Sequence, residues 1–341
     1  MATQRLLQAI PIAIQPTARL KFTRASLHSG VSLQKAEGPL ARTVKERSKT
    51  FPVQPDFIAT HLIVVDQNAY LEGLESRLAA EGATYEKATF AHVDLVGIAR
   101  QVLIAITLRS RCVWEVGGHH TFDHSNPGFP YTSAGYVHRD TQRVSGLLRY
   151  SAPDGGFLDL RSSELRVTCE LIDCYYRTGT WWVDRLSVAL GYLWSALTTS
   201  HPELTFVALC MALEAIASTS HNEITHILAE RCAILVHSKG AARVLMYEEV
   251  KDLYNLRSKI VHGRSAPRKG PVNWETLAIT AKMSVVPMGS VLRMLAVTIQ
   301  VVNAILSRPK LLEILHVRRS EEKASVALNE YFQSLLLRGE A

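Results

Sequence analysis

The sequence has few cysteines, and none of them is placed for a metal or redox pair. Five of the 341 residues are cysteines, and no two form a CxxC motif. Zinc ribbons and thioredoxin-like redox sites use such motifs, so the sequence argues against both classes. The odd number of cysteines, with two in apolar helical surroundings, indicates reduced thiols in a reducing compartment. We therefore expect a cytoplasmic protein.

Acidic residues are missing from the first 36 positions. Residues 1–50 carry nine Lys and Arg against Glu37 and Glu46, which equals the net charge of +7 of the whole chain. The basic character of the protein thus reflects this segment more than the body of the chain, and it is weak support for nucleic-acid binding. The composition fits a mitochondrial transit peptide, whereas the loose alternation of residues 18–33 fits ordinary first strands; both interpretations stay open.

The sequence also lacks a convincing membrane segment. The most apolar run, residues 283–306, is interrupted by Pro287 and Arg293, so we interpret it as a buried helix. A Walker A motif, a dinucleotide-binding fingerprint and an HExxH motif are all missing. We expect no membrane partner and no cofactor.

Apolar residues make up 47% of the chain and charged residues 20%, which excludes global disorder and allows a sizeable core. The pattern predicts an α+β protein with a basic arm or first strands at 1–50, a mixed α+β domain of unknown role at 51–180 and an all-α bundle at 181–341. In the middle segment we predict a strand at 57–65, helices at 68–81 and 92–108, a loop at 117–135, and strands at 157–160 and 165–171.

The C-terminal segment has apolar residues at helical spacing throughout. The predicted helices are 183–198, 204–217, 220–238, 241–262, one near 275–306 and one near 309–337. Capping boxes at 200–203 and 220–223 are expected to start the second and third helices. The second helix is apolar on nearly all sides, which is typical of the central helix of a bundle.

The fourth of these helices places a charge in its apolar stripe. On a helical wheel Arg257 falls between Leu253 and Tyr254. A guanidinium on an inner face needs a partner, and Glu214 is the only charge within 204–217. Arg231 on the third helix competes for the same carboxylate, and the sequence does not choose between the two arginines.

His262 ends this helix, beside Ser258 and Asn255 on the wheel. A histidine can exchange a proton near neutral pH and an arginine can stabilise phosphoryl charge, so the two together suit metal-free RNA cleavage. Arg257 and His262 lie about 140° apart on an ideal helix. This separation favours a homodimer with a composite cleft at a two-fold axis. The basic residues around them, which suit a phosphate backbone, are Lys259, Arg264, Arg268 and Lys269.

Three blocks of this segment resemble the ApeA-like branch of the HEPN domains. They are FVALCMALEAI at 206–216, ILAERCAILV at 227–236 and LYNLRSKIVHG at 253–263, in the order and spacing of that branch. The resemblance covers roughly residues 181–310, and it implies a dimeric helical bundle and, in many members, a metal-independent endoribonuclease of defence or toxin systems. Arg257 and His262 match the catalytic pair of the family, Ser258 its variable polar position and Glu214 its upstream acidic position.

Two further expectations complete the hypothesis. The histidine-rich stretch HHTFDH, with His119, His120, Asp123 and His124, is interpreted as a surface loop and not as a metal site. The N-terminal domain is expected to sense a ligand or protein trigger and to control the nuclease. The alternative is a non-catalytic HEPN-like module that binds RNA or protein, in which the arginine–glutamate pair is structural.

Overall fold

The computed structural model describes most of the chain, which divides into two compact units, Met1–Cys174 and Tyr175–Ala341. The described residues are 6–15, 20–28, 30–48, 59–80, 95–110, 113–116, 118–123, 131–136, 159–176, 184–199, 201–219, 223–261, 286–316 and 321–337. The protein is α+β: the strands lie in the N-terminal unit and the C-terminal unit is helical in its described residues.

A seven-stranded sheet, antiparallel in every pairing, organises the N-terminal unit. Its strands are β1 (Leu6–Gln15), β2 (Arg24–His28), β3 (Val31–Lys35), β4 (His61–Asp66), β5 (Val113–Val116), β6 (Gly118–Asp123) and β7 (Tyr131–Tyr136). Their order is β2-β3-β4-β1-β6-β7, and β5 also pairs with β1. Strands β1, β2 and β3 agree with the interpretation of the basic N-terminal region as first strands.

Strand β1 lies at the centre of this sheet. One side of it pairs with β4, while the other side pairs with β6 along residues 6–9 and with β5 along residues 12–15. The change of partner falls at Ile10 and Pro11, and a proline has no N–H to give to a ladder. Consecutive buried side chains in β1 explain why its sequence is almost continuously apolar.

The turn between β2 and β3 requires a glycine. Gly30 has a φ of 73°, in the region where residues with a Cβ are disfavoured. A Cβ at this position would also lie 2.4 Å from the backbone nitrogen of Tyr70 and 2.6 Å from the carbonyl oxygen of Asp66. The hairpin can therefore sit directly on the start of the helix that follows β4.

Four of the described helices belong wholly or mostly to the N-terminal unit. They are α1 (Gly38–Ser48), α2 (Gln67–Ala80), α3 (Leu95–Ser110) and α4 (Ser162–Tyr176). The helices predicted at 68–81 and 92–108 are confirmed as α2 and α3, and β4 confirms the strand predicted at 57–65 over its described part. Helix α1 was not predicted.

The loop predicted at 117–135 is wrong for its described residues, which form β6 and β7. The two strands pair with each other, and β6 also pairs with β1. Glycine, proline and histidine disfavour strands locally, but hydrogen bonds to a central strand override such weak preferences. His119, His120 and Asp123 therefore lie in a strand, and His124 lies outside the described residues.

The strand predicted at 165–171 is also wrong, because this segment belongs to α4. Its apolar and polar residues alternate, yet Val167 is 46% exposed while Leu165, Cys169 and Ile172 are buried. A spacing of three and four residues is the helical one. Of the strand predicted at 157–160, Leu160 forms an isolated bridge with Leu20, and residues 157–158 lie outside the described residues.

His61 in β4 carries a pH-dependent contribution to stability. The ring is buried, Nδ1 lies 2.9 Å from Oγ1 of Thr60, and Nε2 has no hydrogen-bond partner among the described residues. Burial, and then the charge of Lys35 on β3, lower the pKa of His61 to about 4. The native state thus holds the imidazole neutral.

We expect the N-terminal unit to lose stability as the pH falls through this range. The unfolded chain takes up a proton near pH 6.5 and the folded chain only near pH 4, so the loss begins below about pH 6.5 and is complete near pH 4. It should approach about 3 kcal/mol, measured by hydrogen exchange of β4 amides at several pH values. His61→Gln should remove this dependence, whereas His201→Gln, at an exposed site in the other unit, should not. An unchanged profile in His61→Gln would contradict the assignment.

Seven helices form the described part of the C-terminal unit. They are α5 (Arg185–Thr198), α6 (Pro202–Ala217), α7 (Ile224–Val236), α8 (Ala241–Val261), α9 (Met288–Leu306), α10 (Pro309–His316) and α11 (Glu321–Leu337). Helix α6 packs against α5, α7, α8 and α9, which confirms its prediction as the central helix of a bundle. The described residues of the helix predicted at 309–337 form α10 and α11.

Helix α9 is the only described helix with the length and composition to cross a membrane. Most of its apolar stretch is buried in the protein, with Val291, Met294, Val302 and Ile305 in the core. Its one charged residue, Arg293, is exposed and bonds to Glu249 at 3.2 Å. These contacts agree with a buried helix of the bundle.

The predicted capping boxes are both wrong. Helix α6 has His201 at its N-cap, without a side-chain hydrogen bond, and Pro202 at the first helical position. Proline suits that position because its missing N–H would have no partner there. Helix α7 begins after Glu223, which has a left-handed φ of 54°. In the same unit, Asp184 forms a side-chain cap, since it accepts a hydrogen bond from the amide of Ser187 at the start of α5.

Candidate active site

Helix α8 places the candidate site at the end of a regular buried stripe. Met246, Val250, Leu253 and Tyr254 are its buried residues, and their spacing of three and four defines one face. Arg257 follows Tyr254 by three residues and continues that face outward. The sequence therefore brings a guanidinium to the edge of the bundle, close to where the described part of the helix ends.

Arg257 pairs with Glu214 of the central helix α6. Its Nη2 lies 3.1 Å from Oε1 of Glu214, which confirms the predicted pair and settles the choice that the sequence left open. The side chains are 26% and 24% exposed, so the pair is only partly buried. Glu214 lies in the last turn of α6 and Arg257 lies near the end of the described part of α8. Because both side chains are partly exposed, a solute can reach the pair.

Tyr254 is a third member of this cluster and was not predicted as one. Its hydroxyl donates to the same Oε1 of Glu214 at 2.8 Å, and its ring centroid lies 5.4 Å from the guanidinium carbon of Arg257. Burial raises the pKa of Tyr254, and the hydrogen bond to Glu214 raises it further. The phenol therefore remains a donor at ordinary pH. The three-residue spacing between Tyr254 and Arg257 is the signal in the sequence that could have placed Tyr254 in the cluster. By itself, this spacing also fits apolar packing.

Cys210 lies one turn before Glu214 and is fully buried. Burial raises the pKa of this thiol, the charge of Glu214 raises it further, and Arg257 only partly opposes them. Burial likewise raises the pKa of Cys232 to about 12. A neutral thiol is a poor nucleophile, so both cysteines serve as small core residues.

Arg231, the competing candidate, has a structural role in α7. The guanidinium donates to the carbonyl of Ala217, to Oγ1 of Thr219 and to Oδ1 of Asn329, and it lies 4.8 Å from the ring centroid of Phe332. Burial lowers its pKa. Arg231 thus caps the C-terminal end of α6 and attaches α11 to it.

Arg185 of α5 reinforces the same helix end. It donates to the carbonyl oxygens of Ala215 and Ser218 and to Oγ of Ser325 on α11. Two guanidinium groups therefore fix the turn of α6 that carries Glu214. These contacts have no local signal in the sequence, because the partners lie far apart along the chain.

The remaining predicted residues divide into an exposed set and a set outside the described residues. Asn255, Ser258 and Lys259 are exposed on α8, and they are accessible to a large ligand. His262, Arg264, Arg268 and Lys269 lie outside the described residues. The geometry of the Arg257–His262 pair therefore stays a prediction.

Within the described ranges, no three His, Cys, Asp or Glu residues come together as metal ligands. The chemistry open to the described cluster is that of a fixed, solvent-accessible cation beside a carboxylate and a protonated phenol. Such a cation can bind an oxyanion and stabilise charge that develops on it.

Comparison with models of protein families, with curated proteins and with solved structures finds no match for this chain.

Proposed function

We propose that the C-terminal unit is a metal-independent endoribonuclease of HEPN type that acts as a homodimer. The observation that carries the proposal is the Arg257–Glu214 pair: the arginine of the Arg-x4-His motif is held by the central helix and remains about a quarter exposed. The motif's resemblance to the HEPN family, through LYNLRSKIVHG, supplies the reaction class. In this proposal RNA is the substrate, and the protein acts in a defence or stress response in the cytoplasm. The N-terminal unit receives the trigger.

In the proposed reaction, the 2′-hydroxyl of a ribose attacks the adjacent phosphorus. The bond from phosphorus to the 5′-oxygen breaks, which leaves a cyclic phosphate and a free 5′-hydroxyl. His262 moves one of the two protons, either from the 2′-oxygen or to the 5′-oxygen, and water exchanges the other. Arg257 stabilises the charge of the phosphorane-like transition state. A cleft shared by two copies of α8 brings both residue types to one phosphate.

The basic residues after Arg257 serve RNA binding in this proposal. Lys259 is exposed on α8, and Arg264, Arg268 and Lys269 follow it in the sequence. Their contacts to phosphates would neutralise charge irrespective of base sequence, so RNA affinity should fall as salt rises.

We expect the purified full-length protein to cleave single-stranded RNA in the presence of EDTA. Arg257→Ala should lower the rate by about 10²–10³-fold, because it removes a charge that stabilises the transition state. Gel analysis of a labelled RNA measures both effects. Arg243→Ala, at an arginine on the same helix that is remote from Glu214, is the matched control. Cleavage that stops in EDTA, or that survives Arg257→Ala, contradicts the proposal.

A second candidate function is favoured by the same contacts. Tyr254 and Arg257 together tie α8 to α6 through Glu214, and this network suits a non-catalytic binding module in which it is purely structural. In that case Glu214→Ala and Arg257→Ala lower the melting temperature together, and His262→Ala changes neither stability nor RNA binding.

A further inference from the structure

Two donors converge on one oxygen of Glu214. The phenol of Tyr254 lies 2.8 Å from Oε1, and Nη2 of Arg257 lies 3.1 Å from the same atom. An arginine and a carboxylate that are free to choose their geometry frequently form two parallel N–H···O bonds. Here the phenol holds the carboxylate in an orientation that gives the guanidinium a single contact.

Arg257 therefore keeps donors that Glu214 does not use. A guanidinium has five N–H groups, and the ion pair engages one nitrogen, Nη2. Nε is buried and has no hydrogen-bond partner among the described residues. Because Nε is enclosed, a ligand that brings acceptor oxygens meets the guanidinium through its Nη groups, and the side chain as a whole is 26% exposed.

The ring of Tyr254 also limits where the guanidinium can move. The guanidinium carbon lies 5.4 Å from the ring centroid, within the range of a cation–π contact. Tyr254 thus contacts both members of the ion pair, the arginine through its ring and the glutamate through its hydroxyl. A phenylalanine would retain only the first of these contacts.

We infer that Tyr254 is a positioning residue that keeps Glu214 from closing on Arg257, so that the guanidinium presents N–H donors to a phosphodiester oxygen. This inference rests on the proposed function for its substrate. Without the hydroxyl, the carboxylate is free to rotate and to take Arg257 in a two-bond contact. The cation would then be neutralised by its own partner and withdrawn from the ligand.

Tyr254→Phe tests the inference, with inorganic phosphate as the probe and titration calorimetry of the full-length protein as the measurement. We expect phosphate affinity to fall about tenfold, as for the loss of a hydrogen bond to a charged group. Tyr247→Phe is the control, since Tyr247 lies on the same helix and bonds to His226 instead. Equal phosphate affinity in Tyr254→Phe and wild type overturns the inference.

A second substitution separates positioning from a merely structural role. Glu214→Gln removes the charge that attracts the guanidinium, so Tyr254→Phe combined with Glu214→Gln should bind phosphate at least as tightly as the wild type. Loss of packing alone would give a double variant no better than Tyr254→Phe, and that result overturns the inference.

A further test measures phosphate binding on the wild type and uses a variant only to assign the spectrum. Phosphate should shift the Nε–H resonance of Arg257 in nuclear magnetic resonance spectra, assigned by its disappearance in Arg257→Lys. If phosphate leaves this resonance unchanged, the guanidinium offers no donors and the inference is wrong.

Failure of the proposed function gives a different result. A wild-type protein that cleaves no RNA but whose phosphate binding depends on Tyr254 contradicts the nuclease and retains the positioning role. A wild-type protein that cleaves RNA, with the same kcat and KM in Tyr254→Phe, retains the nuclease and overturns the positioning role. If both proposals hold, Tyr254→Phe should lower kcat/KM by about tenfold.

Discussion

Replacing His262 with alanine is expected to lower the rate of RNA cleavage by about 10²–10⁴-fold, the usual contribution of a positioned general acid or base. The proposed reaction needs a group that exchanges a proton near neutral pH, and His262 is the residue of that kind within the motif. Stability should be unchanged, because the ion pair that ties α8 to α6 is made by Arg257 and Glu214. Single-turnover cleavage and thermal unfolding of the same preparations measure the two quantities.

His201→Ala is the matched control for this experiment. His201 is exposed at the start of α6, and its side chain makes no capping hydrogen bond. It should leave both cleavage and stability at the wild-type level. If His262→Ala cleaves RNA as fast as His201→Ala does, the assignment of His262 as the proton-transfer group is wrong.

Replacing Arg231 with alanine is expected to produce the largest loss of stability, about 2–4 kcal/mol in the free energy of unfolding of the C-terminal unit. The guanidinium is buried and donates to the carbonyl of Ala217, to Thr219 and to Asn329. Its removal takes one donor from each of these acceptors and opens a cavity beside Phe332. Urea unfolding followed by far-ultraviolet circular dichroism measures the change.

A double-variant cycle with Asn329→Ala makes this prediction sharper. Because Arg231 and Asn329 share a hydrogen bond, their losses should be less than additive. Lys239→Ala, at an exposed lysine between α7 and α8, should change the free energy of unfolding by less than about 0.5 kcal/mol. Additive losses, or an Arg231→Ala variant as stable as Lys239→Ala, would contradict the role of Arg231 as the tie between α6 and α11.

The helices of the C-terminal unit were predictable because their signal is local. Leu186, Leu190, Leu193 and Leu197 repeat at the spacing of one helix face, and all four are buried in α5. The helix starts were predicted less well. The observed starts of α6 at Pro202 and of α7 after Glu223 differ from the predicted ones. A cap depends on the conformation of a single residue and not on a repeated pattern.

The two wrong predictions in the N-terminal unit have different physical causes. In α4, the alternation over 165–171 imitates a strand, although Thr168 and Ile172 complete a helical set of buried residues. In β6 and β7, the local residues disfavour a strand, but pairing with β1 provides the backbone with hydrogen-bond partners. Short segments carry too few periods to exclude the competing pattern.

By itself, the sequence determined which segments are amphipathic helices, that residues 204–217 are the central one, and that Arg257 lies on an inner-facing stripe and needs a partner. Tertiary structure decided that Glu214 takes Arg257 while Arg231 holds the end of α6, and that Tyr254 belongs to the cluster. Periodicity fixes the face on which a side chain lies, because it is a property of a single helix. Which atoms meet across two helices depends on their relative rotation and ends, which the packing of the whole bundle sets.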